Sequence, residues 1–387
     1  MWKILRQSIA YGWRLLCSRP AFFGVAVFLP LFCDFFFLNL MHEGLPLRVP
    51  AAVVDQDHST LSRRVIRNLS ASELVDVTQE VESYSEALRK VREGEVFGFF
   101  LLPRDFQKNA LNGAGTTVTF YSNLSIFVPG TLVFKGFKTT AVTTAGGVAV
   151  TTLTSMGVDE AAAGTLLQPV VVQQNPLANP WMNYSVYLSN SFLPGVIALL
   201  VVLLACFTIC GEIKHATSPE WLRVSGGSMI TALFGKLLPQ AVLFTAIGVF
   251  TQSLLYGYCH FPLNCPAWQM VLAMVMLVLG CQGFAVLICC ALPNLRLSLI
   301  LASLTGILAF SIAAYSYPVQ SMYGGVAIFS YILPVRYYFL IYTDLALNGV
   351  PMYYARFYFA ALALFMVLPL PLLGRLKKRC LNPVYVP

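Results

Sequence analysis

Six long apolar runs limit what this chain of 387 residues can fold into: residues 21–41, 185–210, 230–256, 268–292, 297–315 and 357–374. A hydrocarbon core about 30 Å thick is crossed by roughly 20 helical residues rising about 1.5 Å each. Each run is therefore long enough to span a membrane. Only 11% of the residues are Asp, Glu, Lys or Arg, against roughly 25% in a soluble domain. An ordinary cytosolic enzyme, a disordered chain and a nucleic-acid binder are excluded, although the net charge is +8.

The charges that remain are segregated. Thirteen of the seventeen acids lie between Glu43 and Glu160; eleven basic residues share that stretch, for a net of −2. The rest of the chain carries fourteen basic and four acidic residues, a net of +10, clustered at the ends of the apolar runs. Lys3, Arg6, Arg14 and Arg19 precede the first run and place the N-terminus in the cytoplasm. Lys214, Arg223, Lys236 and Arg296 then face the same way, as do Arg375, Lys377, Lys378 and Arg379, leaving only Arg336 and Arg356 opposite. The five tryptophans (Trp2, Trp13, Trp181, Trp221 and Trp268) fall at or near run ends, as interfacial anchors do. The resulting fold class is an α-helical polytopic membrane protein of six spans, with a mixed α/β extracytoplasmic domain between the first two.

That domain, residues 42–184, alternates short elements. Strands are predicted at 49–54, 74–78, 96–102 and 116–122, and helices at 61–69 and 83–93. Residues 131–164, rich in Thr, Ala, Gly and Val, predict one long helix, and 166–174 a further strand before Asn175-Pro176. Before the first span, Trp2, Leu5, Ile9, Trp13 and Leu16 share a helical face. Residues 1–20 are accordingly read as an interfacial amphipathic helix, with a solvated basic tail as the alternative. The first span itself, 21–41, is too long for a signal-peptide core and is read as an uncleaved anchor. Residues 375–387 read as a basic cytoplasmic tail. Eight of the ten cysteines sit in or beside apolar runs, where Cys is a small hydrophobe. Cys259 and Cys265 share an outer loop and are either a loop-clamping disulfide or two free thiols.

Catalytic signatures are missing. No glycine-rich loop ends in Lys-Ser or Lys-Thr to cradle phosphates, no HExxH and no Gly-x-Ser-x-Gly occurs, and the four histidines are dispersed. The chain is not expected to be an enzyme or to bind a cofactor or metal. The inward loop 211–229 offers a short helix with Ser218 as cap, Pro219 at its first turn and Glu220 near its positive end. Trp221 and Leu222 are then apolar knobs, either for a partner groove or for lipid. Asp34 is the only acid well inside a run; it either lines a pathway or proton relay, or bonds a neighbouring helix. Residues 317–350 are interrupted by Pro318, Pro334, Arg336 and Asp344 and read as a pair of outer re-entrant helices. Their tyrosines, Tyr337 among them, belong to an aromatic belt or to a pathway lining.

The stretches VVDQDHSTLSRRVIRNL (53–69), GEVFGFFLLPRDF (94–106), NPLANPWMNYSVYLSNSFLPGVIALL (175–200), GKLLPQ (235–240) and SYPVQSM…ILPVRYYFLIYTDLALNG (316–349) resemble the permeases of type-2 ABC exporters. The resemblance covers nearly the whole chain in order. It implies one span, a large periplasmic domain and five more spans in a bacterial inner membrane, assembled as a homodimer or heterodimer. ATP and Mg are then bound by a separate ATPase subunit; a periplasmic adaptor and an outer-membrane channel are further implied partners. The family's first inward loop carries a charged stretch of the form Glu-Arg-Glu-x-Gly-Thr. Here GEIKHATSPEWLRVSGGSM keeps only Glu212 and Glu220 of that character. Glu212, Lys214, Pro219, Glu220, Trp221 and Leu222 are the expected ATPase-coupling residues. Asp34, Arg336, Tyr337 and Asp344 are the expected translocation-pathway residues.

The function expected is export of hydrophobic or amphipathic, drug-like or lipid-like cargo, because the spans offer few charges to hold an ion. A non-transporting envelope scaffold or sensor is the first rival, disfavoured by five closely spaced spans beyond the domain. A proton-coupled transporter centred on Asp34 is the second.

Overall fold

The structure, a computed structural model, describes residues 2–18, 20–42, 44–112, 115–167, 178–179, 183–313, 315 and 317–383. Trp181 lies outside them. The chain divides into two compact units, Leu45–Asn175 and the remainder. α1 (Trp2–Ser18) and α2 (Pro20–Leu40) open the helical unit.

The inserted unit runs β1 (Val49–Asp55), α3 (Thr60–Ser70), β2 (Val75–Val81), α4 (Tyr84–Glu93), β3 (Gly98–Leu102), α5 (Phe106–Leu111), β4 (Thr119–Ser122), α6 (Phe127–Ser155) and α7 (Glu160–Leu167). The sheet order is β2-β1-β3-β4, with β1 parallel to β2 and β3, and β4 antiparallel to β3. β1 is central and covered on both faces, which explains its unbroken apolar sequence. Val49, Ala51 and Val53 pack with Phe137 of α6, while Ala52 and Val54 pack with Ala87 of α4. Ser59 caps α3 in a reciprocal bond with Ser62, and Ser83 caps α4. The long helix expected over 131–164 is two: α6 ends at Ser155, and Gly157, with φ 90°, turns the chain into α7. In the expected strand 166–174, Leu166 and Leu167 instead complete α7; 168–174 fall outside the described residues. α5 is a six-residue helix too short for periodicity to reveal.

The helical unit resumes with α8 (Tyr184–Lys214), α9 (Ser218–Val224), α10 (Met229–Gln252), α11 (Ala267–Ala291), α12 (Leu295–Ile312), α13 (Gly324–Tyr331), α14 (Pro334–Ile341), α15 (Met352–Val367) and α16 (Leu373–Leu381). Among the described residues six helices are long and apolar enough to cross a membrane, and a bent pair would make a seventh if it counted as one span. α8, α10 and α11 are the most buried; α2, α12 and the last helix keep most of their surface outward. The bent pair is α13 with α14, which meet at 84° in the stretch read as re-entrant. α10 and α14 each run on into a π-helical turn, Ser253–Tyr258 and Tyr342–Leu347. The last span starts at Met352 rather than 357. After one 3-10 turn at Leu370–Leu372 it continues as α16, so the basic stretch expected as a tail is a helix as far as Leu381. Its Leu373, Leu376 and Cys380 are buried. Residues 384–387 fall outside the described residues.

Candidate functional site

Five elements of the helical unit meet at one end of α8. Gly226 and Gly227 adopt φ of 67° and 75°, which lets the chain leave α9 and enter α10 within a few residues. Ser228 caps α10 by accepting from the Thr231 N–H. α1 lies against α10 at closest approach through Gly12 and Gly235, where a Cβ on either glycine would collide with the other helix. The Ser8 hydroxyl, one turn before Gly12, donates to the Thr231 carbonyl at 3.1 Å.

At the centre of this junction is a buried ion pair. Lys236 Nζ of α10 lies 2.6 Å from Glu212 Oε1 of α8, with side-chain exposures of 0% and 4%. The ammonium also donates to the Thr208 carbonyl at 3.1 Å and sits 3.8 Å from the centre of the Trp221 ring. Glu212 accepts from the Tyr11 hydroxyl at 3.0 Å and from the Thr217 hydroxyl. Burial, followed by the Glu212 charge, raises the Tyr11 phenol above its ordinary value, so it remains a donor. A charge removed from water in this way has to be matched at each valence. Lys236 has a carboxylate, a carbonyl and an aromatic face; Glu212 has the ammonium and two hydroxyls. Deleting one partner of a buried pair costs about 3–5 kcal/mol, and a desolvated cation–π contact contributes about 2 kcal/mol.

α9 is tied at both ends. The Ser218 hydroxyl donates to the Cys380 carbonyl of α16 at 2.7 Å, and the Ser225 and Ser8 hydroxyls bond at 3.0 Å. Two sequence expectations are corrected here. Ser218 does not cap α9; its hydroxyl satisfies a carbonyl in the last turn of α16. Trp221 and Leu222 are not outward knobs: they are 1% and 2% exposed, because Trp221 closes over Lys236. The other candidates divide accordingly. Glu212 is buried, whereas Lys214, Pro219 and Glu220 are exposed along the outer edge of the loop. An open groove of about 820 Å³ between α1 and α9 is lined by Ile4, Tyr11, Arg14, Glu220 and Arg223, among others.

The four pathway candidates are not brought together by a shared contact among the described residues. Asp34 is 1% exposed and accepts from the Thr251 hydroxyl at 2.8 Å, joining α2 to α10. Arg336 donates to the Ser330 hydroxyl at 2.8 Å and stacks on Tyr331, while the Tyr337 hydroxyl donates to the Tyr331 carbonyl at 2.9 Å. Both therefore pin the bend between α13 and α14. Asp344 sits half-buried on the following π-helical turn and forms no ion pair with Arg336. Cys259 and Cys265 are free thiols, each raised by burial.

Sequence reasoning did not single out Lys236, Tyr11 or Thr217. A lone lysine in GKLLPQ at the entrance of an apolar run was the available signal, since such a charge requires a buried partner. The hydrogen bonds from Gln252 to the Tyr338 hydroxyl (3.1 Å) and from the Tyr256 hydroxyl to Asn190 (3.2 Å), at the far ends of α10 and α8, were also unforeseen.

The family model described as ABC-2 family transporter protein matches residues 20–374. None of the curated proteins compared with the chain matches it.

Proposed function

The chain belongs to the ABC-2 transporter family, and from that membership we propose that it is the membrane subunit of an ATP-driven exporter, with hydrolysis performed by a separate ATPase. Membrane subunits of this family are not themselves enzymes. The observation that carries the reading is the construction of α9. Its inner face is anchored to α8 and α10 through Trp221, Lys236 and Glu212, to α1 through Ser225, and to α16 through Ser218. Its outer edge presents Pro219 and Glu220, and Lys214 is exposed just before it at the end of α8. A force applied to that edge reaches the second, third and sixth spans together. A loop that merely anchors in lipid needs none of these ties.

In this reading α9 faces the cytoplasm, two copies of the chain form a pathway, and the inserted unit lies on the far side of a bacterial inner membrane. The cargo is hydrophobic or amphipathic, drug-like or lipid-like, because Asp34 is engaged by Thr251 and Arg336 by Ser330, leaving few charges for an ion. A periplasmic adaptor and an outer-membrane channel complete the route in a two-membrane envelope. Purification from native membranes tests the proposal: an ATPase is expected to co-elute, with its activity lowered by Glu220→Lys in α9. A preparation that transports without any ATPase would refute it.

A further inference from the structure

α16 carries four basic residues and no acid. Its apolar side is used up inside the protein: Leu373, Leu376 and Cys380 are buried, leaving Arg375, Lys378 and Arg379 exposed. Among the described residues none of those three has an ion-pair partner. Exposed leucines bracket them, with Leu370 and Leu372 before and Leu381 after. A basic row alone would suit either an acidic protein or an anionic membrane. Leucines interleaved at both ends favour a surface that accepts both charge and hydrocarbon. The placement agrees: α16 follows α15 after one 3-10 turn, so Arg375 lies only eight residues beyond Val367, where the long apolar helix ends. Basic residues in that position hold anionic headgroups within reach of the span's end.

We propose that the outward face of α16 (Arg375, Lys378 and Arg379, framed by Leu372 and Leu381) is a binding surface for the headgroups of anionic phospholipids. The site is tied to α9 by the bond from Ser218 to the Cys380 carbonyl. Resting on the exporter reading, its second consequence is that anionic lipid steadies α16 and thereby the loop that an ATPase drives. The lipid-binding claim does not depend on that reading.

The full-length protein is reconstituted in nanodiscs of equimolar phosphatidylglycerol and phosphatidylcholine, and the lipid retained after detergent exchange is quantified. The wild-type chain is expected to retain phosphatidylglycerol preferentially. The triple variant Arg375→Gln, Lys378→Gln, Arg379→Gln is expected to lose that preference by fivefold or more, since each basic residue at an anionic surface contributes about fivefold. Its thermal midpoint should match the wild type, because only solvent-facing charges change. Ser218→Ala should keep the lipid preference but abolish any stimulation of a co-purified ATPase by phosphatidylglycerol. Unchanged lipid preference in the triple variant overturns the proposal. So does a triple variant that loses ATPase affinity in neutral detergent while keeping the lipid, which would assign the face to a protein. Absence of any ATPase would count against the exporter reading alone.

Discussion

Lys236 is the residue on which the junction depends, and its surroundings make a quantitative demand. Glu212→Ala leaves an ammonium buried with no countercharge, and Lys236→Met leaves a carboxylate in the same condition; each is expected to lose about 3–5 kcal/mol. The double variant Glu212→Gln, Lys236→Met should lose less than either single change, since no charge remains to be desolvated. Thermal midpoints of the detergent-solubilised protein check the order of the three. A second residue-scale expectation concerns Glu95 in the inserted unit. Hydrogen bonds from Gln79 at 3.0 Å and Lys90 at 3.1 Å hold its carboxyl below the usual value. A depressed folded-state value contributes stability above the ordinary carboxylate pKa, and that contribution is lost as pH falls through the lowered one. Amide exchange in α4, corrected for intrinsic rates, should therefore rise less steeply in Glu95→Gln than in wild type below about pH 4.3.

At the scale of elements, the apolar runs and the alternating pattern between them were legible, because hydrocarbon length and strand burial act on whole segments. The first and last helices were legible only in outline. Their apolar faces pack on protein as well as facing outward. The sequence put Trp2 and Trp13 on an interfacial face of α1, and both are exposed; what it did not reveal is the packed side, where the structure buries Ser8, Gly12 and Leu16. A small-residue contact has no hydrophobic signature; it shows only as serine and glycine one turn apart. Likewise the charge of α16 concealed its buried Leu376 and Cys380. Of the candidate site, the loop and Glu212 could be read from the sequence. The inward direction of Trp221 could not, because it depends on a lysine fifteen residues away on another helix. The close approach of α1 gives an element-scale prediction. Gly12→Val puts a branched side chain where the Gly235 backbone already lies, so α1 must move, at a cost of about 1–3 kcal/mol. Cross-linking between cysteines introduced at Ser8 and Thr231 should fall sharply in that variant and persist in Ala10→Val, on the exposed side of α1.

For the whole molecule, the architecture places a machine-like demand on a single short helix. α9 joins elements that lead into the second, third and sixth spans, so its outer edge is where an external motor would have the most leverage. The chain supplies no phosphate-binding loop of its own. Site-specific photo-cross-linking tests this most directly. A photoreactive residue replacing Glu220 is expected to capture, in native membranes, a protein that hydrolyses ATP. The same probe replacing Ser253, at the opposite end of α10, should not capture it. Capture from position 253 but not 220, or no ATP-hydrolysing protein from position 220 in a correctly folded chain, would contradict the account.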